Sequence, residues 1–529
     1  MVALPRSFLT FGASLLSARA GMRLRRTRGG VGDQQRAFRL LVPKLAVGSV
    51  WKAAGIERGM SYEEFRKKVP LQTYEGLAPH IERMKAGEAD VLWPGKCQIY
   101  AVTSGTTSGH AKFLPVTEAM LRHFRRSGMD SILWYTARVG HAGVFRGRHL
   151  FVGESTALSP MPESAPFEAY AGGLSGITAL NLPGWVERQF YEPGYEIAQM
   201  DDWREKIEAI TQRTAGADIS LLAGIPGWII PLADSLRASC SHGKVRIPFL
   251  QGIWPNLKCY VHGGAPIAPF YDELRSALGP TVNFHEIYYA SEGFIAAQDS
   301  DSGSGLRMMT DAGIFFEFVP MSEFDEGRIP LLASKAVPLS GVRTGVDYAL
   351  VVTTPAGLAR CVIGDIVRFI STEPPRIACV GSTTLRLNAF GEQVIEKEIT
   401  DALVAVCHRN GWTIVNFHVA PIITNATTSA KRGRHEWWIE LKPGTITTPT
   451  GPIMASELDS EVRRTNGNYE ARRKGGALEA PFVRLVMPGV FEHWMRFHGK
   501  WGGNNKMPRC RSDRVIADEL GLATQFAKD

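Results

Sequence analysis

Thr103-Ser104-Gly105-Thr106-Thr107-Ser108-Gly109-His110-Ala111-Lys112 concentrates hydroxyls, glycines and a closing lysine directly after the apolar run 99–102. A strand that empties into such a turn offers backbone N–H groups and hydroxyls that can converge on phosphate oxygens. It is not a Walker A loop, because no Gly-Lys-Ser/Thr closes it. An ordinary solvated turn has the same composition, so three further clusters matter. Tyr288-Tyr289-Ala290-Ser291-Glu292-Gly293 follows the apolar run 282–287, which places it at the carboxyl end of a strand, where open α/β sheets bind ligands. There a tyrosine face can cover an adenine ring, Ser291 can hydrogen-bond a phosphate oxygen, and Glu292 is a hard ligand for nucleotide-borne Mg²⁺. Ile363-Gly364-Asp365 sets an aspartate, able to accept from two ribose hydroxyls, beside a glycine that lets backbone come close. In Gly502-Gly503-Asn504-Asn505-Lys506-Met507-Pro508-Arg509 two glycines place Lys506 on a loop from which it could neutralise charge on a phosphate-linked oxygen.

The elements that must position these residues are readable from periodicity. Residues 34–86 read as helical, with Ser61 and Glu64 spaced as a capping box. From about residue 97, short apolar runs at 148–152, 219–223, 257–262 and 282–287 alternate with helical patterns such as 203–214. That alternation predicts an α/β domain with a mostly parallel sheet; segments 314–320 and 347–354 read as antiparallel strands. After a connector at 381–392, a helix at 392–408 and strands at 413–419 and 436–441, separated by a polar loop at 424–434, predict a smaller α+β domain. The expected division is therefore 1–380 and 381–529.

Composition narrows the function. The 529 residues carry a formal charge of +8, but residues 1–32 hold six arginines and no acid, so the remainder is near +2. Confinement of the charge to one end argues against a nucleic-acid module. The arginine-rich start reads as an amphipathic first helix with arginines on its wet face, an organelle-targeting segment in residues 1–32 being the alternative. No run of 18 apolar residues predicts a membrane-spanning helix. Seven scattered cysteines without a C-x-x-C pair fit a reducing cytoplasm, and no H-E-x-x-H suggests a built-in metal.

In order and spacing the four clusters resemble those of the acyl-adenylate-forming, firefly luciferase-like superfamily. They resemble more closely the auxin-responsive Gretchen Hagen three family of acyl acid-amido synthetases, including its bacterial-type members. The likeness extends over 62–81, 254–264, 315–320 and 388–392. It implies a large adenylating domain at 1–380 that binds ATP and acyl acid, and a mobile domain at 381–529 that carries a catalytic lysine. It further implies a cytoplasmic, monomeric ligase that uses ATP and Mg²⁺. A carboxylic acid would attack the α-phosphate to give acyl-adenylate and pyrophosphate, and an amine, usually an amino acid, would displace AMP. By resemblance Thr103, Ser104, Gly105, Thr106 and Thr107 hold phosphates, with Lys112 secondary. Gly263 and Gly264 flank the adenine, Tyr288 stacks, and Tyr289, Ala290 and Ser291 complete the motif. Glu292 binds Mg²⁺, Asp365 holds the ribose, and Lys506 reaches the α-phosphate when the small domain closes about a connector near Gly381.

Two positions depart from the family pattern: Cys361-Val362 replaces a Tyr-Arg pair, with Arg360 one place earlier, and Gly381-Ser382 lacks a basic residue after the glycine. A nucleophilic Cys361 is disfavoured, because no histidine lies beside it in sequence. The alternatives to an amide-forming ligase are transfer of the acyl group to coenzyme A or a carrier thiol, and a nucleotide-binding homologue with impaired turnover.

Overall fold

The computed structural model describes the chain except residues 1–5, 26–28, 104–110, 162–163, 165, 242–246, 265–266, 384, 388, 391, 393, 426–431, 443–448, 499–506 and 527–529. It divides into two compact units, Met1–Ile267 with Asp272–Cys379, and Ala268–Tyr271 with Val380–Asp529. The first begins with α1 (Arg6–Leu24), α2 (Gly30–Leu45), α3 (Ser49–Ala53), α4 (Tyr62–Lys68), α5 (Tyr74–Lys85) and, after a first hairpin, α6 (Glu118–Val139). The capping box is present: Ser61 N–H donates to Glu64 Oε2 at 2.9 Å and Glu64 N–H to Ser61 Oγ at 3.3 Å.

The strands of the first unit start with β1 (Ile99–Thr103), β2 (Lys112–Pro115), β3 (Arg148–Phe151), β4 (Ser159–Pro160), β5 (Tyr170–Gly172) and β6 (Tyr191–Glu192). β7 (Ile219–Ala223), β8 (Cys259–Gly263) and β9 (Asn283–Ala290) follow, each preceded by a helical segment. β10 (Gly293–Ala297), β11 (Leu306–Met308), β12 (Phe315–Pro320), β13 (Val337–Pro338), β14 (Asp347–Thr353), β15 (Cys361–Thr372) and β16 (Pro375–Ser382) complete the set. β1, β2, β4 and β5 make a small sheet, and the others a 12-stranded one in the order β13-β12-β14-β15-β16-β11-β10-β9-β8-β7-β3-β6.

The α/β class holds, and the prediction of a mostly parallel sheet is corrected. Among the described strands of the 12-stranded sheet, only β6, β3, β7, β8 and β9 pair in parallel. From β9 onward the pairs β9–β10, β10–β11, β11–β16, β12–β13, β12–β14 and β14–β15 are antiparallel. Parallel pairing requires a long crossover. Helices supply it up to residue 283, whereas β9 and β10 are joined by two residues and β14 and β15 by seven, links that permit only antiparallel pairing.

In the second unit a helix (Glu396–Asn410) and another (Gly451–Thr465) accompany a sheet of Ile414–Asn425, Arg432–Leu441 and Phe482–Val486. Leu403, Val406, Phe417, Trp437 and Leu458 form its buried core. The two long strands take up 424–425 and 432–434 of the polar segment predicted as a loop at 424–434, whose remaining residues, 426–431, lie outside those described. Polarity alone does not separate the ends of paired strands from a loop. Among the described residues no helix is long and apolar enough to cross a membrane.

Candidate functional site

Thr103 and Lys112 face each other across the antiparallel β1–β2 pair, so they are the neck of the hydroxyl-rich loop. Ser104, Gly105, Thr106, Thr107 and His110 lie outside the described residues, as does Lys506. The loop thus joins two paired strands. Lys112 Nζ stands 3.4 Å from the Glu75 carboxylate and 5.2 Å above the Tyr74 ring. Both partners come from α5, so this helix fixes where the lysine's charge sits.

The second cluster is the tip of the β9–β10 hairpin. Ala290 pairs with Gly293 and Tyr289 with Phe294, which leaves Ser291-Glu292 as a two-residue turn. Buried His123 on α6 holds the hairpin from below: its Nε2 accepts from Phe294 N–H at 2.8 Å, while Nδ1 lies 2.7 Å from the Ala312 carbonyl. Burial lowers its pKa to about 4, so it stays neutral and keeps the lone pair that Phe294 needs. A histidine in an amphipathic helix gives no sequence signal for this role. Gly263 ends β8 opposite Ile287 of β9, and a Cβ there would stand 2.3 Å from the Ile287 carbonyl oxygen. Gly264 continues at φ +73°.

Asp365 is delivered by a β-bulge. Ala349 of β14 pairs with Ile366 and Val351 with Val362, so Ile363, Gly364 and Asp365 together oppose Leu350. Gly364 has φ +90°, a left-handed conformation open to glycine and strained for other residues. In a flat sheet, four strand steps of about 4.8 Å would hold β9 and β15 about 19 Å apart. Instead the Tyr288 hydroxyl donates to Asp365 Oδ2 at 2.5 Å, so this part of the sheet curls until the two strand segments meet. The Tyr288 ring is buried, and burial followed by the Asp365 charge raises its pKa well above 10, which keeps it a donor. Tyr289 is only partly buried, with its ring 6.5 Å from that of Phe294. Gly364→Ala is expected to lower stability by about 1–2 kcal/mol, read as an earlier urea midpoint. An unchanged midpoint would show that the bulge tolerates a side chain.

Glu292 shares this neighbourhood. Burial pushes its carboxyl up to about 7; its own backbone N–H opposes the rise, the Asp365 charge adds to it and Lys112 relieves it. Two carboxylates facing one lysine leave excess negative charge, which suits a divalent cation. Cys361 lies close to the same charges, but burial holds its thiol far above the usual range, which makes it a poor nucleophile. Arg360, the charge next to it, points away. It is fully buried, and Nε and Nη2 donate to Glu317 Oε2 and Oε1 at 3.0 and 2.9 Å. Its remaining bonds reach the carbonyls of Arg66, Val69 and Ala333 at 2.9, 2.7 and 2.9 Å. Arg368 makes a two-pronged bond to Asp347 across the β14–β15 ladder, at 2.6 and 2.8 Å. Both arginines are structural.

The fold is shared with acyl-adenylate-forming enzymes. A solved 2-hydroxyisobutyryl-CoA ligase, in its postadenylation state, matches 95% of this chain and 93% of its own at TM-score 0.57 and 16% identity. A solved GH3.15 acyl acid amido synthetase matches 96% of both chains at TM-score 0.75 and 16% identity. The sequence matches the GH3 family N-terminal domain over residues 34–282, the central domain over 307–381 and the C-terminal domain over 397–515. The chain belongs to the GH3 family of acyl acid amido synthetases, ligases that form amides by way of an adenylate. Among its relatives are the rice (Oryza sativa subsp. indica) indole-3-acetic acid-amido synthetase GH3.8 and the Nicotiana attenuata jasmonoyl–L-amino acid synthetase JAR4. The first is 23% identical over 88% of this chain and 86% of the relative, the second 22% over 84% and 85%.

Proposed function

We propose that this ligase binds Mg-ATP against the β9–β10 turn and the β15 bulge, adenylates a carboxylic acid there and passes the acyl group to an amino acid. The observation that carries the reading is the Tyr288–Asp365 hydrogen bond beside Glu292, which joins two distant nucleotide-type clusters into one polar face. Thr103, Ser104, Gly105, Thr106 and Thr107 would grip the β- and γ-phosphates, and Gly263 and Gly264 would flank the adenine. Asp365 would accept from the ribose hydroxyls. Tyr288, with its hydroxyl committed to Asp365, orients that carboxylate, and partly buried Tyr289 is the better placed ring for the base. Ala290 and Ser291 shape the turn. Glu292 would ligate Mg²⁺, which when bound neutralises phosphate charge. Lys506 would stabilise charge on the α-phosphate and bridging oxygen once the small unit closes about the segment near Gly381, excluding water from the mixed anhydride. An amino acid acceptor is supported by relatives named as amido and amino acid synthetases. The test is incubation with ATP, Mg²⁺, aryl and fatty acids and a mixture of amino acids, read by mass spectrometry. An amide with matching AMP release is expected; a product only with added coenzyme A would favour the thiol acceptor.

A pH dependence follows from Glu292. Its folded-state pKa of about 7 lies above its ordinary 4.5, so the fold favours the protonated form. Its contribution to stability is complete below about 4.5 and lost as pH rises through about 7. That same deprotonation creates the anion that Mg²⁺ requires. Apparent Mg²⁺ affinity with ATP present is expected to rise about tenfold per pH unit below 7 and to level off above it. Glu292→Gln should weaken the affinity and flatten the profile; a wild-type profile flat from pH 5.5 to 8.5 would remove Glu292 as the ligand.

A further inference from the structure

α1 has two apolar faces. The inward one is sealed: Ala13 and Ala20 are buried with Leu133 and Tyr135 of α6 and with Val144 and Phe145, and Ser17 Oγ lies 2.5 Å from Thr136 Oγ1. Arg6 bonds to the Arg146 carbonyl and Arg23 pairs with Asp311, so the helix is held along its length. The outward face is unusual. Phe8, Phe11, Leu15 and Met22 are 71, 64, 59 and 62% exposed. At about 100° per residue these four fall within about 60° of arc, a continuous stripe and not scattered surface residues. Exposed Arg19 shares the stripe's flank, and exposed Arg25 follows the helix. Within residues 1–32 there are six arginines and no acid.

We propose that α1 docks this protein on an anionic lipid surface. Large apolar side chains with arginines beside them and no carboxylate are the composition of helices that lie in the membrane interface, where apolar burial and attraction to acidic headgroups add. A second copy of the chain is a poorer occupant, because it would bring another acid-free, arginine-rich face against the first. A spanning role is excluded, since no described helix is long and apolar enough to cross a membrane. The inward face already packs on α6, so docking requires no rearrangement of the unit and leaves its ligand face unchanged.

The test is co-sedimentation of the full chain with phosphatidylcholine vesicles, with and without phosphatidylglycerol. Binding is expected only with phosphatidylglycerol present, and should weaken as salt rises. Phe8→Ser/Phe11→Ser/Leu15→Ser should reduce the bound fraction about tenfold with an unchanged thermal transition, because the three side chains are exposed. Arg19→Glu/Arg25→Glu should weaken binding without touching the stripe. The proposal is overturned by no sedimentation with anionic vesicles, by equal binding to neutral ones, by equal binding of the triple-serine variant, or by a dimer that this variant abolishes.

Discussion

Arg360→Ala is expected to lower the unfolding free energy of the first unit by about 3–5 kcal/mol. The cause is what remains: Glu317, itself 1% exposed, would keep a carboxylate with no cation against it, and the carbonyls of Arg66, Val69 and Ala333 would lose their donor. Tyr62, whose hydroxyl donates to Glu317 Oε1 at 2.9 Å, cannot replace the lost charge. Arg360 also sits at φ +51°, so the network holds a strained backbone one residue ahead of β15, the strand that carries the bulge. Arg360→Lys should recover only part of the loss, because one ammonium cannot reach Glu317 and three carbonyls at once. Adding Glu317→Gln to Arg360→Ala should restore part of the stability by removing the buried charge. Urea unfolding followed by tryptophan fluorescence reads all three. A loss below about 1 kcal/mol would mean that water reaches the pair.

Lys506→Ala is expected to do the opposite: to leave the melting profile unchanged and cut acid-dependent turnover about 100-fold, equivalent to about 3 kcal/mol of lost transition-state stabilisation. The two variants therefore separate what holds the fold from what would run the reaction. KM for ATP should change far less than kcat, since the lysine would act on charge that develops at the α-phosphate during transfer. Full activity in Lys506→Ala would remove this residue from the mechanism while leaving the nucleotide face of the first unit standing.

Legibility in the sequence followed the range of the interactions. Ser61 and Glu64 announce their helix because a capping box is completed within four residues. The segments that became β7, β8 and β9 were readable as apolar runs between helical patterns. The hairpin character of 288–293 was not, because strand pairing beyond Ala290 is decided by partners that a local pattern cannot name. Tyr288 and Asp365 are 77 residues apart, and only the curl of the sheet brings them together. A tyrosine in such a motif suggests a stacking ring; the bond from the Tyr288 hydroxyl to the aspartate has no signal in the sequence. The charge of Lys112 is felt at Glu292 through a position fixed by α5, a contact that no local pattern announces. The arginines of the first segment read as the wet face of a helix. That Phe8, Phe11, Leu15 and Met22 share this face could not be read, because the same residues could have formed the inward one.

Adenylation of a carboxylic acid at the face built from Tyr288, Glu292 and Asp365 would be reversible. Exchange of labelled pyrophosphate into ATP tests it most directly, because it requires a reversible acyl-adenylate and no acceptor amine. Exchange is expected only when a suitable acid and Mg²⁺ are both present, and it should be strongly reduced in Asp365→Ala, whose carboxylate would hold the ribose. Absence of acid-dependent exchange across a broad panel of aryl and aliphatic acids, by protein with an intact thermal transition, would contradict the account.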